Sequence, residues 1–218
     1  MIDFSHVEKY RENNRIEAKK ALGGLPESIW ETYSAFANTL GGIILLGVEE
    51  KRGGSFHAID LPDPEWLIAD FWDIINDKKR VSANILTESN VTVEETDGKR
   101  IVAIRIPRAP RKDRPIYIDG NPFRGTYRRS GEGDIRCSAE EVKAMMSESL
   151  SECAEKTSER KKAAVIFLTE YLFADRDELC ALLCADGEEV DAMLSEMMRD
   201  GIVIKTVING KIRYRLKA

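Results

Sequence analysis

Residues 25–50, LPESIWETYSAFANTLGGIILLGVEE, read as a helix, a glycine break and a buried strand. Pro26 suits the first helical turn, where its missing N–H would have had no partner. Ile29, Tyr33, Phe36, Ala37 and Leu40 recur at helical spacing, so residues 26–40 are expected to present one apolar face. Gly41-Gly42 ends that helix, because glycine enters left-handed backbone space at little cost. Residues 43–48 form an apolar run of strand length, and Glu49-Glu50 then stand just past a buried strand. Scaffolds often hold working residues at such strand ends.

Outward from this stretch the pattern stays mixed. Residues 16–21 are ambiguous between helix and strand. Residues 55–63 read as a loop or short strand, and residues 65–78 as an amphipathic helix. Residues 91–96 and 100–106 flank Asp97-Gly98, a favoured hairpin turn. Residues 116–118 and 126–129 are expected to be short strands joined through Asp119-Gly120. Ser138 with Glu141 three residues on has the form of a capping box, opening a helix to about residue 150. The polar segment 151–160, SECAEKTSER, reads as a linker or a frayed helix end. Beyond it, three helical segments (161–173, 176–184 and 188–199) precede two strands around Asn209-Gly210, an order that resembles a winged helix-turn-helix. The expected class is α+β, with a mixed-sheet domain over 1–150, a linker over 151–160 and a winged-helix-like domain over 161–218.

The chain of 218 residues has no apolar run near the roughly 20 residues needed to span a bilayer, nor the apolar core of a signal peptide. A cytoplasmic protein without a membrane partner is expected. Cys137, Cys153, Cys180 and Cys184 form no CxxC pair, so a structural zinc site is not expected, and Cys180 and Cys184 read as small core residues. The net charge of −5 hides an asymmetry: residues 1–98 carry −8, residues 99–136 carry +7 and residues 137–218 carry −4. A basic segment inside an acidic chain points to a polyanion as partner, DNA or RNA. The expected contacts are Lys19, Arg108, Arg111, Lys112, Arg114, Arg124, Arg128 and Arg129, with Tyr117 and Tyr127 as stacking candidates. In the C-terminal hairpin Lys211, Arg213 and Arg215 alternate with Ile212, Tyr214 and Leu216, giving one apolar face and one basic face that is a further expected contact for nucleic acid. The preceding helix carries Glu188, Glu189, Asp191 and Glu196 and suits a protein partner better than phosphate. The NTLGG stretch lacks the GxxxxGK[ST] spacing of a triphosphate loop.

Several motifs carry a family resemblance. They are Glu12-Asn13-Asn14-Arg15-Ile16-Glu17-Ala18-Lys19, Leu25-Pro26, Ala35-Phe36-Ala37-Asn38-Thr39 with Gly41-Gly42, and Gly47-Val48. Pro115-Ile116-Tyr117, residues 127–133 (YRRSGEG) and Ser138-Ala139-Glu140-Glu141-Val142 follow. Together, over about residues 8–147, they resemble the Schlafen AlbA-type domain, a family also labelled DNA-binding. The resemblance implies a mixed α/β fold, a basic groove for nucleic acid, and a bacterial-type protein with a role in transcriptional regulation. It also implies an alternative. Some eukaryotic Schlafen proteins are RNA endonucleases with three acidic residues, two of them in an E-x4-E-x-K pattern that Glu12, Glu17 and Lys19 reproduce. The third, usually aspartate, matches Glu50. On that reading the three carboxylates bind magnesium or manganese; nucleic-acid binding alone requires no cofactor. The nuclease members pair two lobes in one chain, so a homodimer would be needed here to imitate them. A third reading is a protein-interaction adaptor acting through the winged helix.

Overall fold

The computed structural model describes residues 4–51, 54–208 and 210–217, and the chain divides into two units, Met1–Ser149 and Leu150–Ala218. The first is built on a strand–helix–strand crossover. Strand β1 (Ile16–Lys19) leads to helix α1 (Ser28–Asn38), and strand β2 (Gly42–Leu46) returns parallel to β1. The ambiguity over residues 16–21 is settled by that pairing, since four residues are too few to show a period. Helix α1 differs from the expected amphipathic form: all its residues except Ser28 and Glu31 are buried, whereas Leu40 beyond its end is 48% exposed. The helix lies between the sheet and a later hairpin, so even Thr32, Ser34 and Asn38 are enclosed.

The apolar run after α1 is two strands rather than one. Gly47 adopts φ 81°, and a Cβ there would lie 2.7 Å from Leu61 Cγ and 2.9 Å from the Ile59 carbonyl oxygen. The chain turns at this glycine into β3 (Val48–Glu50), which pairs with β4 (Phe56–Ala58) instead of continuing the main sheet. Glu49 and Glu50 therefore belong to a second, short hairpin. Helix α2 (Pro64–Ile75) follows, capped by Asp63, whose Oδ1 accepts from the Trp66 N–H at 2.9 Å. Strands β5 (Val91–Thr96) and β6 (Lys99–Ile106) form the expected hairpin and complete a sheet of order β1-β2-β6-β5. Strand β6 is antiparallel to both neighbours, so the sheet is mixed.

Alternation along β2 and β6 gives the sheet two apolar faces. Ile44, Leu46, Val102 and Ile104 pack with α1 and α2, while Leu45, Ile101 and Ala103 pack with Val7, Val48 and Phe56. Residues 116–118 are not a strand. Ile118 and Tyr117 make isolated bridges to Val81 and Thr126, and the one-turn helix α3 (Pro122–Gly125) intervenes. Strand β7 (Tyr127–Ser130) instead pairs with β8 (Gly133–Arg136) and packs against α1.

Helix α4 (Ala139–Tyr171) opens on the expected capping box: the Ser138 N–H donates to Glu141 Oε2 at 2.7 Å, and the Glu141 N–H to Ser138 Oγ at 3.2 Å. It stays helical through residues 151–160. That segment has no glycine or proline and contains Ala, Glu, Lys and Arg, so its polarity hid adequate helix propensity. In the second unit α5 (Arg176–Leu183) begins at Asp175 and Glu178, which cap reciprocally as expected. Helix α6 (Gly187–Arg199) is capped by Asp186, and β9 (Val203–Ile208) pairs antiparallel with β10 (Lys211–Leu216). Asn209 of the expected turn lies outside the described residues. Ala164, Leu168, Leu179, Val190, Leu194 and Tyr214 are core residues of this unit. Ala174 and Tyr214 exchange both backbone hydrogen bonds, at 3.0 and 2.7 Å. Cys180 is partly buried against that core, but Cys184 is exposed past the end of α5, so only one of the two is a core residue. No helix among the described residues is long and apolar enough to cross a membrane.

Candidate nucleic-acid interface

The basic segment divides into buried and exposed cations. Arg129, expected to touch phosphate, is instead a structural hub whose side chain is 1% exposed. Its Nη2 donates to Glu17 Oε2 at 2.7 Å and to the Asn13 carbonyl at 2.9 Å, and its Nη1 donates to Asp134 Oδ1 at 2.8 Å. The guanidinium lies over the Phe36 ring, 5.1 Å from its centroid. Thr32 Oγ1 donates to the second Asp134 oxygen at 2.6 Å, and Lys19 Nζ bridges Glu17 Oε1 and Ser28 Oγ, each at 3.1 Å. Burial alone would lower the Arg129 pKa; the bonds and charges of Asp134, then of Glu17, outweigh it and hold the pKa above its ordinary value. This network joins β1, α1 and the β7–β8 hairpin. Arg129 and Lys19 are thereby corrected from phosphate contacts to internal partners of carboxylates.

Other expected contacts are also occupied. Arg114 is 8% exposed, with Nη2 3.8 Å from Glu148 Oε2. Arg128, on the opposite strand face from Arg129, has Nε 2.9 Å from Glu141 Oε1 and keeps partial exposure. Tyr127 is 6% exposed; its hydroxyl donates to Glu31 Oε1 at 3.0 Å and accepts from Arg136 Nη2 at 3.2 Å. It therefore does not offer a stacking face, and Tyr117 is half-buried beside Thr126. Arg108, Arg111, Lys112 and Arg124 remain. All four are exposed, and none makes an ion pair among the described residues. Arg108 starts a loop whose next residue is fixed by the Ala109 N–H donating to the Ala37 carbonyl at 2.8 Å; residues 111–113 then form a single helical turn.

Sequence reasoning missed Arg15. It is exposed, makes no ion pair among the described residues, and lines a groove with Tyr10 and Leu40 beside the start of β2. Its place in the family-like motif was its one signal. Glu17 is claimed by Arg129 and Lys19.

The three acids do come near one another. Burial raises the Glu12 pKa, a hydrogen bond from the Ala18 N–H at 3.1 Å opposes this, and the charges of Glu17 and Glu50 add to the rise. Yet among the described residues no three His, Cys, Asp or Glu side chains are arranged to hold a metal ion. Both Glu17 oxygens are held by cations, and one Glu12 oxygen accepts a backbone bond. A magnesium or manganese ion held by Glu12, Glu17 and Glu50 would therefore have to displace partners that the fold already gives Glu12 and Glu17.

A carboxyl such as Glu12, whose folded pKa exceeds its unfolded value, binds its proton more tightly when folded, so ionisation penalises the fold. The penalty is present above the raised folded pKa and absent below the unfolded value of about 4.3. Glu12→Gln keeps an acceptor for Ala18 and removes the charge. It is expected to raise stability near neutrality, with the gain vanishing as pH falls below about 4. Urea unfolding at both pH values checks this; an equal gain at both would refute the assignment.

In the second unit Lys211, Arg213 and Arg215 share one face of the hairpin, opposite Ile208, Thr206 and Ile204. Arg213 lies 3.4 Å from Glu178 Oε2 and 3.8 Å from Asp175 Oδ2 at the start of α5, and Arg215 Nη1 donates to the Leu216 carbonyl at 3.2 Å. Lys211 is exposed without an ion pair among the described residues. The apolar face is covered at Tyr214 but open at Ile212, which is 47% exposed. Three of the four carboxylates on α6 are engaged within the unit: Glu189 with Arg160, Asp191 with Arg176 and Glu196 with Lys161.

Comparison with known proteins gives three findings. The family model described as Schlafen, AlbA_2 matches residues 12–138. No curated protein matches the chain. Among solved structures, the chain is similar to the N-terminal domain of a protein from Nitrosomonas europaea described as related to the ATP-dependent DNA helicase RecG. The identity is 31%, over 63% of this chain and 94% of that one, with a TM-score of 0.48. It is also similar to the DIP2311 protein from Corynebacterium diphtheriae, at 20% identity over 57% of this chain and 22% of that one, with a TM-score of 0.40.

Proposed function

Because this chain belongs to the Schlafen AlbA_2 family, we propose that it binds nucleic acid and acts as a transcriptional regulator. The observation that carries this is a set of exposed cations, Arg108, Arg111, Lys112 and Arg124, that make no ion pair among the described residues of a globally anionic chain. Cations already neutralised inside a fold gain little from phosphate; solvated ones release counterions when they meet a strand. The second unit adds Lys211, and we read its helices and terminal hairpin as a winged helix: α6 stands in the recognition position and the hairpin is the wing. With three α6 carboxylates engaged internally, the acidic-adaptor reading loses most of its charge basis.

Binding of labelled RNA, single-stranded DNA and duplex DNA across a salt series tests the proposal. Affinity should fall steeply with salt, and the triple variant Arg108→Ala, Arg111→Ala, Lys112→Ala should flatten the logarithmic slope by up to about 3, roughly one for each phosphate that is no longer neutralised. No binding at low salt, or an unchanged slope in the variant, would refute it. The proximity of Glu12, Glu17 and Glu50 favours metal-dependent ribonuclease activity as the second reading. The same RNA incubated with magnesium or manganese decides between them: it should stay intact, and cleavage lost in Glu17→Ala would put the nuclease reading first.

A further inference from the structure

We propose that the groove at the end of the first unit's sheet accommodates one unpaired base of a single strand, with Arg15 on the flanking phosphate. This rests on the nucleic-acid reading above and narrows it to strands whose bases are free to leave the stack. The groove measures about 500 Å3, and its lining includes Tyr10, Arg15, Leu40, Gly42, Ile43 and Ile106. Among the described residues no acidic side chain lines it. Its walls are mostly apolar, and Leu40 is 48% exposed there.

At the floor a glycine lets two backbone segments close on each other. Gly41 adopts φ 74°, and a Cβ there would lie 2.6 Å from the Ile106 carbonyl oxygen and 3.0 Å from the Arg108 nitrogen. The cationic loop that starts at Arg108 therefore leaves directly from this floor. At the other edge the Arg15 backbone is pinned: its N–H donates to Asn13 Oδ1 at 2.7 Å, and its carbonyl accepts from the Ile43 N–H at 2.8 Å. The Arg15 guanidinium is thus launched from a fixed point and makes no ion pair among the described residues. A flat apolar group next to an anion satisfies these walls and this charge together, and a nucleotide within a strand has both parts. Bases inside a duplex are stacked and cannot enter such a groove without being unpaired.

The test compares an oligothymidine strand with an abasic strand of equal length and phosphate count, at one low salt concentration. The wild-type protein should bind oligothymidine about tenfold more tightly, the order of one stacked base. Leu40→Ser, at an exposed position, should reduce oligothymidine binding to the abasic level while leaving abasic binding unchanged. Thymidine monophosphate should compete poorly, because it lacks the neighbouring phosphates. Equal affinity for both strands, a ratio that survives Leu40→Ser, or efficient displacement by the mononucleotide would each overturn the inference while leaving nucleic-acid binding intact. Failure of both strands to bind would overturn it together with the wider reading.

Discussion

Arg129→Ala should lower the stability of the first unit by about 3 kcal/mol, the lower end of the cost of breaking a buried ion pair. The lower end applies because Glu17 and Asp134 keep 13% and 12% exposure and regain some water when unpaired. The variant also strips donors from the Asn13 carbonyl and removes the cation over Phe36. Arg129→Lys should recover only part of the loss, since a single ammonium cannot reach both carboxylates with the fork of a guanidinium. Urea unfolding at neutral pH measures both. A loss below about 1 kcal/mol in Arg129→Ala would show the network to be peripheral, as surface ion pairs usually are. At a temperature where the variant is folded, the salt slope of nucleic-acid binding should match wild type, which separates a structural arginine from a phosphate contact.

Asn38→Ala is the other large effect expected. Asn38 is 5% exposed and ties α1 to the returning chain. Its Nδ2 donates to the Ile116 carbonyl at 2.7 Å and the Tyr127 carbonyl at 3.1 Å, and its Oδ1 accepts from the Ile116 N–H at 2.8 Å. Ser34 works beside it, donating to the Ile116 carbonyl at 2.8 Å and accepting from the Tyr127 N–H at 3.0 Å. Residues 116 and 127 lie on no shared ladder, so these side chains do the work that strand pairing would otherwise do. Truncation leaves the Ile116 N–H without this acceptor at a buried site, at a cost of about 1–3 kcal/mol, with weakened carbonyls adding to it. About 3 kcal/mol is the expected total. Hydrogen exchange at the Ile116 amide gives an independent readout: it should accelerate in Asn38→Ala, and unchanged protection there would count against the account even if stability fell.

Both residues show why the candidate interface was only partly legible. Asn38 stands in the family-like motif, but composition cannot reveal that its amide serves a carbonyl 78 positions away. The Arg129 and Glu17 charges are 112 positions apart, and Arg129 looks the same in sequence as the exposed Arg124. Strand alternation put Arg128 and Arg129 on opposite faces without saying which face was covered. The charge asymmetry marked the segment as cationic, and burial left Arg108, Arg111, Lys112 and Arg124 exposed within it.

What the sequence determined by itself was local. The helix–glycine–strand reading of residues 25–46, the hairpin at Asp97-Gly98, and the caps at Ser138 and Asp175 depend on backbone preferences and hydrogen bonds within a few residues. What only tertiary structure decided was non-local. The turn at Gly47 into a second hairpin, the pairing of β7 with β8, the enclosure of α1 and the neutralisation of Arg129 all depend on which distant segments meet. A side chain's chemistry is fixed by its residue type, but its access to water is fixed by what packs over it. For a charged group that access separates an internal strut from a contact for phosphate.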